Sequence, residues 1–193
     1  MKNQKLLSKI SDFRNFLYIA WKHLKLPQPT DIQYDIADYL QHGSQRQIIS
    51  AFRGCGKSWI TSAYVLWRLL LDPQLNILVV SGSKNRADDF STFCLRLLHE
   101  MPILNHLYPK ESQRQSKISF DVAPALASHQ PSVKSLGITS QLTGSRSDLI
   151  IADDVETSGN TQTLTMREKL SEGIKEFEAI IKPEKTSRII FLG

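Results

Sequence analysis

Hydrophobic and polar positions alternate between a helical and an extended period along most of the chain. Apolar residues recur at helical spacing from Leu6 to Leu24, which predicts an amphipathic helix. The same period and the flanking capping residues predict further helices at 31–41, 59–71, 86–100 and 163–181. Short apolar runs between turn residues predict strands at 47–49, 76–81, 117–122, 133–138, 148–153 and 188–192. Strands that alternate with helices predict an α/β fold with a mostly parallel central sheet flanked by helices.

The character of the predicted strands differs along the chain. Residues 76–81 and 148–153 are nearly continuous apolar runs, which is typical of strands buried on both faces of a parallel sheet. Residues 117–122 alternate between polar and apolar side chains, which predicts a strand with one solvated face. The Leu-Pro-Gln-Pro segment at 26–29 interrupts the helical pattern. We therefore expect an N-terminal appendage at 1–25, packed as a helix on a domain at 26–193.

A short glycine-rich run follows the predicted strand 47–49 and opens the helix at Trp59. It reads Gly54-Cys55-Gly56-Lys57-Ser58. A strand–loop–helix context of this kind is typical of a phosphate-binding loop, whose backbone N–H groups and positive helix end face a polyphosphate. In such a loop the lysine contacts the β- and γ-phosphates and the serine hydroxyl ligates Mg²⁺. The loop therefore predicts a site for a nucleoside triphosphate with Mg²⁺, in which Cys55 is a small filler and no nucleophile.

A second chemical motif ends the apolar strand 148–153. It contains Asp153, Asp154 and Glu156, and carboxylates at the C-terminal edge of a parallel sheet lie beside the ligand crevice. Asp153 is predicted to hold Mg²⁺ through water, while a neighbouring carboxylate orients or deprotonates the attacking water. Asp154 is the first candidate for that role. Glu156 is the alternative, because an extended chain would point both side chains the same way.

Composition narrows the setting of this domain. The formal net charge is +5, which is compatible with a polyanionic partner. No apolar run approaches the roughly 20 residues that a membrane-spanning helix needs, and no signal-peptide pattern follows the basic N-terminus. The two cysteines, Cys55 and Cys94, favour neither a disulfide framework nor a zinc site. We therefore expect a soluble intracellular domain with no membrane partner.

The order of the motifs points to one branch of the phosphate-loop proteins. The predicted strand 76–81 lies between the two motifs in the chain. A strand inserted between the phosphate-loop strand and the acidic strand is the arrangement of the motor-type nucleoside triphosphatases. By fold-level analogy we expect a three-layer P-loop fold of that type.

Together these motifs resemble the ATPase domain of the large terminase subunit of tailed bacteriophages, closest to the short-tailed type. That family has a phosphate loop that lacks the first glycine and contains an arginine, which matches Ala51 and Arg53. Its upstream adenine-contacting segment is similar to 29–33, where the Gln33 amide can both donate to and accept from an adenine edge. Further similar segments are 79–87, 143–148 and the start of a coupling motif at 189–193. The family's usual acidic pair is Asp-Glu, so Asp153-Asp154 leaves the catalytic carboxylate open.

The resemblance implies a function: hydrolysis of ATP with Mg²⁺ to translocate double-stranded DNA into a procapsid. The implied partners are the portal protein, the small terminase subunit and further copies of the chain in a ring. The implied location is the cytoplasm of an infected bacterium, transiently on the portal. DNA would be held through its phosphates, and the basic candidates are Lys84, Arg86, Arg114 and Lys117.

The resemblance also implies an arginine that acts between subunits. Arg146 precedes the acidic strand, so we expect it at the opposite, N-terminal edge of the sheet, facing a neighbour's nucleotide. An arginine that reaches the γ-phosphate stabilises charge in the transition state. Arg53 is the competing candidate and would act within its own subunit. The structural alternatives for Arg146 are a salt bridge to Asp148 and a solvated charge in a loop.

The sequence stops at Gly193, inside the segment similar to the coupling motif. We therefore expect a domain truncated before a C-terminal nuclease domain, and no DNA cleavage by these residues. Two other interpretations stay open. A helicase-like ATPase of superfamily two shares the adenine segment and phosphate loop but needs a second motor domain. A regulatory nucleotide-binding module would bind ATP with negligible turnover.

Overall fold

The first helix belongs to the same core as the rest of the domain. The computed structural model describes residues 10–193, and the predicted helical positions Leu6 and Leu7 lie outside them. Helix α1 (Phe13–His23) begins after Asp12, whose side chain accepts a hydrogen bond from the backbone N–H of Arg14. Its apolar face lies in the main core cluster, and Trp67 Nε1 donates to the carbonyl of Ile10 at 2.7 Å. The described part of the predicted appendage therefore packs on the domain.

The remaining elements follow the predicted alternation of helices and strands. The helices are α2 (Asp31–His42), α3 (Lys57–Leu71), α4 (Lys84–Glu100) and α5 (Leu164–Ile180), with a 3₁₀ turn at Asn105–Leu107. The strands are β1 (Arg46–Ile49), β2 (Ile77–Ser81), β3 (Ser119–Phe120), β4 (Val133–Gly137), β5 (Leu149–Asp153) and β6 (Arg188–Leu192). The predicted α/β class is confirmed.

The strand order places the two chemical motifs one strand apart. The sheet has the order β1-β6-β5-β2-β4-β3. All neighbouring pairs are parallel except β3 with β4. The phosphate-loop strand β1 and the acidic strand β5 are therefore separated, as expected of a motor-type fold. The separating strand is β6, from the end of the chain, and β2 lies on the far side of β5.

Two helical layers of unequal size cover the sheet. Helices α1 to α4 contribute to the larger core cluster on one face, while α5 is the described helix that packs on the other, through Phe177 and Ile180. At β1, α5 reaches only the first residue, where Arg46 pairs with Glu178 at 2.6 Å, and Ile48 is left 74% exposed. None of the helices in residues 10–193 has the length and apolar composition that crossing a bilayer requires.

The strand predicted at 117–122 is much shorter than its pattern suggests. Only Ser119–Phe120 is extended in the sheet, and the chain before it folds into a tight hairpin with a bridge between Gln115 and Phe120. Within the hairpin the Ser116 hydroxyl donates to the carbonyl of Ser119 at 2.9 Å. Ile118 lies at the tip of this turn and is 46% exposed. The alternating pattern was therefore wrong about Ile118, because local serine hydrogen bonds turn the chain before a longer strand can form.

Candidate nucleotide-binding and catalytic site

The loop between β1 and α3 has the backbone shape of a phosphate cradle. Gly54 and Gly56 have φ angles of +90° and +86°, a left-handed region that only glycine adopts at little cost. Gly56 is the N-cap of α3, and no side chain caps the helix there. The first backbone N–H groups of α3 therefore lack intrahelical partners and can bind an anion together with the positive end of the helix.

Lys57 is folded back onto its own loop. Its Nζ donates a hydrogen bond to the carbonyl of Ala51, the residue at the position of the first glycine in the general phosphate-loop motif. Reaching a phosphate requires Lys57 to leave that carbonyl, so the contact competes with ligand for the ammonium group. Arg53 is exposed, and it lines a cavity beside the phosphate loop together with Lys57.

Gln33 joins the predicted adenine segment to the phosphate loop. Its Oε1 accepts from the backbone N–H of Thr30 at 3.0 Å, which completes a capping box at the start of α2. Its Nε2 donates to the carbonyl of Cys55 at 2.9 Å. One N–H and one lone pair of the amide therefore remain for a base edge, and Gln33 also holds the loop in place.

Ser58 and Asp153 bring the two motifs into direct contact. The Ser58 hydroxyl lies 3.1 Å from Oδ2 and 3.3 Å from Oδ1 of Asp153. A hydroxyl and a carboxylate form the oxygen-only donor set that Mg²⁺ prefers, completed in such sites by phosphate and water. Among the described residues, no group of three or more His, Cys, Asp or Glu side chains is placed so that it could hold a metal ion by itself, and a phosphate-assisted Mg²⁺ site does not need one. The residues therefore fit the implied ion.

Asp153 is buried enough for its surroundings to change its titration. Burial raises the pKa of the Asp153 carboxyl, and the Ser58 hydrogen bond and the nearby Arg86 and Lys57 oppose that rise. The adjacent Asp154 carboxylate acts in the same direction as burial. A cation beside Asp153 would relieve both effects, because it stabilises the charged form.

Asp154 turns the chain away from the strand direction. Its φ of +46° is left-handed, a conformation in which Asp and Asn are several-fold enriched among non-glycine residues. The residue lines a cavity beside the phosphate loop, and its Oδ2 accepts from Arg86 Nη1 at 3.1 Å. The extended chain that would align Glu156 with Asp154 is therefore not formed. Glu156 is exposed. In the described part of the chain, two cavities are lined in part by Ser58, and Glu156 lines neither of them.

Asp153 lines a cavity of about 390 Å³ together with Ser58 and Asp154. The adjoining cavity, which Asp153 does not line, has a volume of about 690 Å³. That volume lies within the roughly 300–1,000 Å³ of typical ligand pockets. Its lining includes Gln33, Arg53, Lys57 and Ser58 from the predicted site. It also includes three residues that the sequence did not suggest for this site, Trp21, Trp59 and Arg86.

Arg146 lies at the opposite edge of the sheet, as expected. It precedes β5, whose other end carries Asp153, and its Nη1 donates to the carbonyl of Ala179 at 2.8 Å. That carbonyl belongs to the last turn of α5, where a cation interacts favourably with the helix dipole. The alternative salt bridge to Asp148 is wrong, because Asp148 pairs with Lys182 at 2.8 Å.

The four basic residues suggested for DNA contact do not have a common role. Arg86 pairs with Asp154 in the cavity beside the phosphate loop. Arg114 is engaged with Asp121 and with the carbonyls of Ser128 and His129, so it braces a loop. Within residues 10–193, Lys84 and Lys117 are exposed and form no ion pair. Only these two of the four are left with a free charge for a polyanion.

Comparison with known proteins identifies a relative by sequence. No protein-family model matches the chain. Over 183 residues, or 94% of this chain, it is 54% identical to the terminase large subunit of Enterobacteria phage T3. The match covers 31% of that protein, so the chain spans about a third of the length of its curated relative.

Solved structures share the fold at low sequence identity. The N-terminal domain of the DNA packaging ATPase from bacteriophage phi29 has a TM-score of 0.57 and 14% identity, over 84% of this chain and 79% of that one. The HK97 bacteriophage large terminase has a TM-score of 0.53 and 15% identity, over 87% and 34%. Dbp5 of S. cerevisiae has a TM-score of 0.56 and 16% identity, over 92% and 44%. These likenesses show the fold alone.

Proposed function

Because this chain is a homologue of the phage T3 terminase large subunit along 94% of its length, we propose that it is the ATPase domain of a viral DNA-packaging motor. It hydrolyses ATP to move double-stranded DNA into a procapsid. The observation that carries the proposal is the contact between Ser58 and Asp153 across 3.1 Å. It joins the phosphate loop and the acidic strand into one site of the kind that nucleotide hydrolysis needs.

In this mechanism the nucleotide lies in the cavity between Gln33 and the phosphate loop. Lys57 leaves the Ala51 carbonyl and neutralises charge on the β- and γ-phosphates, while the N-terminus of α3 holds the phosphates in place. Ser58 and Asp153 would hold Mg²⁺, which would neutralise charge that develops on the phosphate oxygens. Asp154 accepts a proton from the attacking water or orients that water.

The partners and surroundings are part of the same proposal. The motor assembles as a ring of copies on the portal, together with the small terminase subunit, in the cytoplasm of the infected host. DNA is bound through its phosphates, so binding falls steeply with salt and is independent of sequence. We assign no nuclease activity to these residues, since the carboxylates of 153–156 are assigned to the nucleotide.

The test measures turnover and strand separation in the same preparation. We expect slow, Mg²⁺-dependent ATP hydrolysis that double-stranded DNA stimulates, with no unwinding of a duplex. Unwinding coupled to ATP would favour the helicase interpretation. Tight ATP binding with no turnover at any DNA concentration would favour the regulatory module and contradict the proposal.

A further inference from the structure

Ser81, the last residue of β2, has a buried hydroxyl with no partner. The residue is 0% exposed, and among the described residues its Oγ has no hydrogen-bond partner. A buried polar group left unpaired costs about 1–3 kcal/mol. An alanine at this position would avoid that cost, so the hydroxyl requires an explanation.

The register of the sheet places Ser81 beside Asp153. The two residues are partners on the neighbouring parallel strands β2 and β5, which lie roughly 4.8 Å apart. Val79 and Ile151, two residues earlier on each strand, both belong to the core cluster that contains α3. Side chains two positions apart on a strand share a face. Ser81 and Asp153 therefore both face the helix that begins at Lys57.

Asp153 has acceptor positions that no described side chain fills. Both of its oxygens accept from the one hydroxyl of Ser58, whereas a carboxylate offers about four acceptor positions. Further donors would stabilise the charged form of this carboxyl. The unpaired Ser81 hydroxyl therefore lies next to a carboxylate, that of Asp153, with acceptor positions that no described side chain fills.

We propose that Ser81 is a positioning residue for Asp153. Its hydroxyl donates to the Asp153 carboxylate when Mg²⁺ and nucleotide are bound, and it fixes the orientation of the carboxylate toward the ion. The proposal rests on the function inferred above and adds a residue to its Mg²⁺ site. Partners that orient a metal ligand commonly contribute about 10–100-fold to metal affinity.

Ser135 provides a matched control. It is 1% exposed, its Oγ also has no partner among the described residues, and it lies on β4, the other neighbour of β2. Its register partner is Val79, so no carboxylate lies beside it in the sheet. A general effect of deleting a buried serine hydroxyl would appear equally in Ser81→Ala and Ser135→Ala.

The experiment titrates ADP binding against Mg²⁺ by calorimetry for wild type, Ser81→Ala and Ser135→Ala, with thermal unfolding to check that each variant folds. We expect Ser81→Ala to need about 10-fold more Mg²⁺ for half-maximal strengthening of ADP binding. Its affinity for ADP in EDTA should be unchanged, and Ser135→Ala should match wild type throughout. A Ser81→Ala midpoint equal to that of wild type, or equal shifts in both variants, would overturn this inference alone. A wild type whose ADP binding Mg²⁺ does not strengthen would overturn the proposed function and this inference with it.

Discussion

The Nη1 atom of Arg86 lies 3.1 Å from Oδ2 of Asp154. This pair links the carboxylate proposed to activate water to α4, a helix that begins just after β2. Both side chains are about half exposed, so the pair itself contributes little to stability, typically about 0–1 kcal/mol. Its effect is therefore expected in catalysis, where it sets the direction of the carboxylate.

We predict that Arg86→Ala lowers kcat, by roughly 10-fold, through Asp154. If Arg86 acts by orienting that carboxylate, the same substitution in an Asp154→Asn background should cause no further loss, because coupled residues are non-additive. The measurement is kcat for the four proteins of the cycle. Additive losses would mean that Arg86 acts on the nucleotide directly, and a large drop in unfolding temperature would mean a structural role.

Lys57→Ala should weaken nucleotide binding. The substitution removes a charge-assisted contact to the phosphates that is worth about 1.5–3 kcal/mol, or about 10- to 150-fold in affinity. Lys84→Ala is the control, since Lys84 begins α4 as Lys57 begins α3. Calorimetric titration with ATP should separate the two variants. Equal affinities in wild type and Lys57→Ala would remove the phosphate-binding role.

Asp154→Asn should lower turnover by about 10²–10⁴-fold, leaving a measurable residual rate, and should keep ATP binding. Glu156→Gln should keep most of the activity. The reason is geometric: Asp154 lines the cavity and Glu156 is exposed outside it. Steady-state hydrolysis and ATP affinity measured for both variants test this assignment. The reverse pattern would transfer the role to Glu156.

Gly82→Ala should disturb the acidic turn. A Cβ at position 82 would lie 2.5 Å from the carbonyl oxygen of Asp154 and would also collide with Thr157 Cγ2. The turn has to move, so we expect turnover to fall at least about 10-fold and the free energy of unfolding to drop by about 1–3 kcal/mol, as overpacking commonly causes. Gly159→Ala, in the segment that follows the acidic turn, is the control, because its Cβ would meet nothing nearer than 3.7 Å. Equal activity of the two variants would contradict the close contact at Gly82.

Arg146→Ala should bind ATP normally and hydrolyse it slowly. An arginine acting across subunits supplies about 10³–10⁵ in rate, and a Lys57→Ala protein still carries an intact Arg146. Mixing the two inactive proteins should therefore restore turnover under conditions where wild-type subunits assemble. Arg167→Ala, which removes an exposed arginine of α5, should be active alone. A mixture as inactive as its components would show that Arg146 does not act in trans.

The sequence patterns predicted most elements of this fold because burial and period are local properties. The continuous apolar runs at 76–81 and 148–153 became the buried strands β2 and β5. Strand order is not a local property. The insertion of β6 between β1 and β5 depends on packing between segments more than a hundred residues apart, and no single pattern along the chain encodes it.

The residues of the candidate site also divide into those that local sequence patterns suggest and those that depend on long-range packing. Lys57, Ser58 and Asp153 were found because their chemistry fixes residue types at set positions around a strand end. Trp21 was missed because it enters the cavity from α1, and a tryptophan on an amphipathic helix is ordinarily a core residue. Arg86 was suggested as a DNA contact because the sequence shows its positive charge but does not show its ion pair with Asp154. The left-handed backbone at Asp154 also gives a reason for Asp where the related family has Glu, since Asp tolerates that conformation well.

The exposed apolar side chains at β1 affect how this protein behaves in solution. Ile48 is 74% exposed and Phe52, just beyond the strand, is 64% exposed, and among the described strands β1 pairs only with β6. An edge strand with exposed apolar side chains favours non-specific self-association. Turnover should therefore be measured at several protein concentrations. Light scattering should accompany each measurement, so that non-specific aggregation is distinguished from ring assembly.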